Sequence, residues 1–236
     1  ADVFAFSFLT SSIYILNDYI DLEHDRLHPI KKNRPLASKK INIKNALIIG
    51  FSLLLISFIL ISKLSILTTY TFLIYLIIML SYCIYFRKVA LIDIAIISFG
   101  FVLRIYVGST ITGIEVSSWI IIMTFLMAFF IALSKRRDDL INLNFDNNFK
   151  RKSLNGYNFK LIDSLITIIS PIIIVCYILY CISDDNISRI GEDFYLTSIY
   201  VIFGFSRYLQ LVYVCEKGGD PIEILYQDKY ILIVFR

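Results

Sequence analysis

Apolar residues run along this chain in blocks of about 20, broken by short charged segments, which is the length a helix needs to cross a hydrocarbon core. The blocks fall at 3–20, 45–62, 65–86, 89–111, 116–133, 161–182 and 194–215 and predict seven spanning helices. A final apolar stretch, 230–235, is too short to cross and reads as the stub of a further span. The chain opens at Ala1 inside apolar sequence, with no Met and no basic leader, so it reads as one whose N-terminal span is missing rather than as a signal peptide. The expected fold is all-α, a polytopic transmembrane bundle, with residues 1–236 forming a single integral membrane domain.

Composition agrees. At 58% hydrophobic residues and a mean hydropathy of +0.73, the chain carries more apolar surface than one water-surrounded core buries, which excludes a soluble globular protein. Cys83, Cys176, Cys181 and Cys215 all lie in apolar runs without C-x-x-C spacing, the pattern of buried free thiols. No internal repeat is evident, and residues 142–158 form a polar, Asn-rich connection.

The distribution of charge says more than its net value of +4. Lys and Arg concentrate in alternate connections: Arg26 to Lys44 after the first span, Arg87 and Lys88 after the third, Lys135 to Lys160 after the fifth, and Lys217 and Lys229 after the last. The intervening connections carry Lys63, then Glu115 alone, then Arg189 among four acids. Retention of basic residues on the inner side makes the large polar connections cytoplasmic. The expected location is a bacterial inner membrane, multi-pass, with the chemistry facing the cytoplasm.

That chemistry begins where the first span ends, in Asn17-Asp18-Tyr19-Ile20-Asp21-Leu22-Glu23-His24-Asp25-Arg26. At 100° per residue Asp18, Asp21 and Asp25 fall within about 60° of one another, over roughly 10 Å of helix axis. Three like charges at a membrane boundary repel unless something cationic sits among them. Mg2+ takes hard oxygen ligands and bridges carboxylates to substrate phosphates, so the ladder suits a diphosphate presented from the cytoplasm. The competing reading is a solvated helix end paired with Arg26 and Lys31. His24 and His28 have a zinc-like spacing, but Pro29 and the lack of a third nitrogen or sulfur ligand make them solvated histidines.

Downstream, His28-Pro29-Ile30-Lys31-Lys32-Asn33-Arg34-Pro35-Leu36-Ala37-Ser38 reads as a rigid, non-helical loop, from which Lys31 and Arg34 can turn to phosphate oxygens. A second polar cluster, Ser134-Lys135-Arg136-Arg137-Asp138-Asp139-Leu140, closes the fifth span on the same side. Two arginines lie within spans, where a charge is costly and functional by default. Arg104 shares a helix face with Asp93, Gly100 and Gly108, the glycines being expected to clear room beside it; the alternative is a structural ion pair inside the bundle. Arg207 has Gly204 close by and reads as a residue that snorkels toward the cytoplasm.

On these residues the sequence resembles the UbiA-type intramembrane prenyltransferase superfamily, whose first signature, N-D-x-x-D-x-x-x-D, is here Asn17, Asp18, Asp21 and Asp25. Within it the likeness is to the decaprenyl-phosphate phosphoribosyltransferase type. Three runs carry that finer likeness: H-P-x-K-x-x-R-P-x-A from His28 to Ala37, L-I-D…G-F-x-x-R from Leu91 to Arg104, and K-R-x-x-[DE]-L from Lys135 to Leu140. Arg151, Leu154, Tyr157, Arg207-Tyr208, Gly219-Asp220-Pro221 and Asp228 add to it. Asp139 stands where the pattern has Glu, and Ser134 where it has Gly.

The resemblance implies Mg2+-dependent transfer of 5-phosphoribose from phosphoribosyl diphosphate to a polyprenyl phosphate in cell-wall biosynthesis, with release of diphosphate. It implies Asp18, Asp21 and Asp25 as catalytic metal ligands, and Asn17, Lys31, Arg34, Arg104, Lys135, Arg136, Asp139 and Tyr157 as substrate-binding residues. No nucleic acid partner is expected. Aromatic-acceptor members carry a second acidic motif where Lys135 and Arg136 stand here. The alternative enzyme moves a polyprenyl group from its diphosphate to an aromatic acceptor. The alternative of another class, an ion or solute transporter, predicts paired interrupted helices, and none is evident.

Overall fold

The computed structural model describes residues 2–27, 31–143, 152–214 and 228. Sequence expectations for His28, Pro29, Arg151, Cys215, Gly219 to Pro221 and the stretch 230–235 lie outside the described residues. The described residues are helical, in turns or without regular structure, with no strand among them. The helices are α1 (Asp2–Ile20), α2 (Leu22–Leu27), α3 (Ile43–Ile61), α4 (Ile66–Ile84), α5 (Ile92–Thr112), α6 (Ser118–Leu143), α7 (Phe159–Cys181), α8 (Asp184–Ile190) and α9 (Thr197–Tyr213).

Six of them, α1 and α3 to α7, are long and apolar enough to cross a membrane. The seventh expected span is α9, which is 17 residues long. Large apolar side chains such as Ile48, Phe51, Ile59, Ile77 and Phe203 are more than 60% exposed. In water that outward face would be untenable; in lipid it is the solvated surface.

The chain divides into two compact units, one holding α1 to α5 and the other α6 to α9. In the first, α1 packs on α3 and α4, and α4 on α5. Ala5, Leu9 and Ile13 of α1 meet Ile61, Phe72, Tyr75, Cys83 and Val107 in its core. Ser57 Oγ donates to the Ala5 carbonyl at 2.8 Å, satisfying a buried hydroxyl between helices. Gly50 lets α3 approach α1, since a Cβ there would stand 3.3 Å from Ile15 Cγ2.

In the second unit, α6 packs on α7 and α7 on α9. Arg137, buried on α6, ties all three helices together. Its Nε donates to Asp163 Oδ1 of α7 at 2.8 Å and its Nη1 to the Val212 carbonyl of α9 at 3.0 Å, while its guanidinium lies 5.1 Å from the Tyr213 ring centre. The charge thus meets a carboxylate, a carbonyl left open at a helix C-terminus and an aromatic face.

Two boundaries differ from the sequence reading. The fifth span was expected to end at 133, but α6 continues through Leu143. The charged residues that signal the end of the apolar block are accommodated on the helix, because Arg136 reaches Asp139 one turn on and Arg137 reaches α7. The connection after α7 is also structured, holding α8 and a 3₁₀ turn, Glu192–Leu196.

Candidate active site

Helix α1 gives way to α2 at Asp21, yet the amides of Asp21 and Asp25 still bond to the carbonyls of Asn17 and Asp21, so helical register carries across the bend. The three carboxylates therefore stay on one face, as their spacing predicts. Asp25 is buried, while Asp18 and Asp21 are partly so.

Their charge is met by two arginines. One nitrogen of Arg34, Nη1, donates to Asp18 Oδ1 and to Asp25 Oδ2, at 2.8 Å in each case. Asp21 is ion-paired with Arg87 Nη1 and also accepts from Asn17 Nδ2 at 3.2 Å. Asn17 Oδ1 is buried without a hydrogen-bond partner. Among the described residues no group of three or more carboxylates, imidazoles or thiols stands arranged to hold a metal. The reason is visible at Asp18 and Asp25, whose oxygens converge on a guanidinium nitrogen.

Arg34 is set by its loop. Lys31–Asn33 makes a 3₁₀ turn, the Arg34 amide bonds to the Lys31 carbonyl, and the Ser38 amide and hydroxyl both bond to the Arg34 carbonyl. Leu36, buried with Leu22 and Ala46, anchors the loop under α2 and α3. Arg87 comes from the 3₁₀ turn Phe86–Lys88 between α4 and α5. The next residue but three, Leu91, caps the start of α5 with a φ of +67°, a strained value for a bulky side chain.

Arg104 lies deeper, on α5. Its Nη2 donates to the Tyr14 hydroxyl of α1 at 3.1 Å and to the Tyr75 hydroxyl of α4 at 3.2 Å, and its guanidinium lies 5.0 Å from the Phe101 ring centre. This corrects two expectations. Among the described residues Arg104 makes no ion pair inside the bundle. The glycines do not clear room for Arg104 either: a Cβ at Gly100 would meet Met79 Cε of α4, and Gly108 faces open space.

The first unit thus brings together Asn17, Asp18, Asp21, Asp25 and Arg34, with Lys31 partly exposed in the Arg34 loop. In the second unit Arg136 is buried and donates to Asp139 Oδ2 at 2.8 Å, Tyr157 is buried, and Lys135 is exposed. Arg207 pairs with Asp228 at 2.8 Å. Sequence reading missed Arg87, Tyr14 and Tyr75 as neighbours of the polar residues, because each reaches its partner across helices distant in sequence.

A profile of the UbiA prenyltransferase family matches residues 3–213. The chain belongs to this family. Among curated UbiA-family relatives, the decaprenyl-phosphate phosphoribosyltransferase of Mycolicibacterium smegmatis is 28% identical over 240 residues, covering 98% of this chain and 74% of the relative. The enzyme of the same name from Corynebacterium glutamicum is 28% identical over 236 residues, covering 97% and 70%. The fold is similar to that of a solved UbiA homologue from Archaeoglobus fulgidus bound to DMAPP and Mg2+, with a TM-score of 0.72 and 19% identity, covering 99% of this chain and 82% of that one. A UbiA-family membrane protein with this acidic ladder is a multi-pass transferase.

Proposed function

We propose that this chain transfers 5-phosphoribose from phosphoribosyl diphosphate to a polyprenyl phosphate of the decaprenyl type, releasing diphosphate, at the cytoplasmic face of a bacterial inner membrane. The observation that carries the reading is the arginine-balanced acidic ladder, in a chain that has two relatives along nearly its whole length bearing the phosphoribosyltransferase name. Lys135 and Arg136 on α6, in place of a second acidic motif, favour this reading over transfer to an aromatic acceptor.

The donor set fits Mg2+. Asp18, Asp21 and Asp25 offer only hard oxygens, and Asn17 keeps a buried, unpartnered Oδ1 on the amide that already touches Asp21. These four residues would hold the ion, which when bound supplies positive charge to the departing diphosphate. Arg34 is a planar fork, partly exposed on a loop, and can exchange carboxylate oxygens for phosphate oxygens. Lys31 adds a point charge from the same loop. In the second unit Lys135, Arg136, Asp139 and Tyr157 are proposed substrate contacts, with Arg136 the residue for an anionic group.

The bond that forms joins a lipid phosphate oxygen to the ribose anomeric carbon; the bond that breaks joins that carbon to the diphosphate oxygen. The nucleophile is already an anion, so no side chain has to remove a proton. The protein's part is to align the two phosphorylated ends and to stabilise charge on the leaving group.

Membranes carrying the protein, given labelled phosphoribosyl diphosphate, a polyprenyl phosphate and Mg2+, are expected to yield lipid-extractable label. Asp18→Asn or Asp25→Asn is expected to lower the rate at least ~100-fold, the scale of losing one preorganised electrostatic group, with the protein still inserted. Product from an aromatic acid and a prenyl diphosphate, with none from the phosphoribosyl donor, would transfer the assignment to the aromatic-acceptor class.

A further inference from the structure

Residues 14, 18, 21 and 25 follow one another on a single helix face, so Tyr14 continues the acidic ladder one turn, about 6 Å, deeper into the first span. It is 59% exposed. Its hydroxyl oxygen accepts from Arg104 Nη2, and that use of a lone pair leaves the O–H proton free to be donated elsewhere. The other phenol on Arg104, Tyr75, is buried to 1% exposure and holds the guanidinium from the α4 side.

Neither phenol neutralises Arg104. Among the described residues it has no ion pair, and its Nε is buried without a hydrogen-bond partner. A cation inside a spanning helix, solvated by two hydroxyls and two ring faces, has unspent donors and unspent charge. The natural complement is an anion that also belongs in the membrane.

We propose that Tyr14 and Arg104 form the seat for the phosphate monoester of the lipid acceptor, Tyr14 donating its O–H and Arg104 its charge, with Tyr75 positioning the guanidinium. This rests on the reading of the acceptor as a polyprenyl phosphate. Depth separates it from the donor's place. Along α1 and α2, Tyr14 lies about 6 Å from Asp18 and about 16 Å from Asp25, so a water-borne diphosphate meets the outer end of the ladder first and a membrane-borne phosphate meets Tyr14.

The test is equilibrium binding of a labelled fifteen-carbon prenyl phosphate to the full chain in detergent, beside the uncharged prenol. Tyr14→Phe keeps the ring and removes only the hydroxyl. It is expected to weaken prenyl phosphate binding ~10-fold, the scale of one hydrogen bond to a charged group, with prenol binding and Mg2+-dependent binding of phosphoribosyl diphosphate unchanged. Arg104→Gln is expected to cost more than Arg104→Lys. Tyr75→Phe is expected to raise KM for the lipid with little change in kcat, a split that loss of general stability would not give. Unchanged prenyl phosphate binding by Tyr14→Phe overturns the proposal, as does an equal loss of donor binding, which would assign these residues to the donor's phosphates. Tyr14-dependent binding of prenyl phosphate without any ribose transfer would instead sink the phosphoribosyl reading and leave the seat standing.

Discussion

Asp21 and Arg87 face each other with only 18% and 10% of their side chains exposed, so loss of the arginine strands a carboxylate with little water to solvate it. Arg87→Ala is therefore expected to destabilise the protein by about 3 kcal/mol, the scale of breaking a buried pair, seen as a lower melting temperature in detergent. Millimolar Mg2+ is expected to recover part of that loss by supplying the missing positive charge; no loss at all would mean that Asp21 is solvated after all. The contrast between Arg34 and Arg87 also marks what can be read from the chain alone. Asp18, Asp21 and Asp25 are legible because helical spacing is local, and Arg34 because its Pro-flanked run lies next to them. Arg87 reads as ordinary inner-side charge, and Tyr14 as one more apolar residue, since their roles depend on which turn of α4 or α5 lies beside α1.

At the scale of elements, apolar blocks locate helices well where both ends meet water at a turn. Helix α5, expected within 89–111, ends on Gly113 in the left-handed region at φ +71°, with the Gly113 amide on the Ser109 carbonyl. Gly113→Ala is expected to cost about 1 kcal/mol, the penalty of a Cβ in that conformation, measured as a small drop in melting temperature; no drop would show that the cap relaxes. Helix α6 shows where the reading fails. Polarity after Leu133 marks the end of the membrane-compatible block but not of the helix, because Arg136 and Arg137 find carboxylate partners without leaving it. Gly100 gives the same lesson in packing: its face is shared with Arg104 in sequence, yet Met79 fills the space beside it.

At the scale of the molecule, six helices long and apolar enough to span and the alternation of basic connections predict an orientation that labelling can check. Single cysteines introduced at Asn33 and Lys88 are expected to react with a membrane-impermeant maleimide only from the cytoplasmic side, and cysteines at Glu115 and Asp185 only from the other; the reverse pattern would put the acidic ladder outside the cell. On the proposed function, the arginine-paired carboxylates of that ladder receive a dication and a diphosphate. The most direct test is the electron paramagnetic resonance of Mn2+ titrated into the purified protein with phosphoribosyl diphosphate. Donor-dependent bound Mn2+ that disappears in both Asp18→Asn and Asp25→Asn is the predicted result, and bound Mn2+ that survives both substitutions would contradict it.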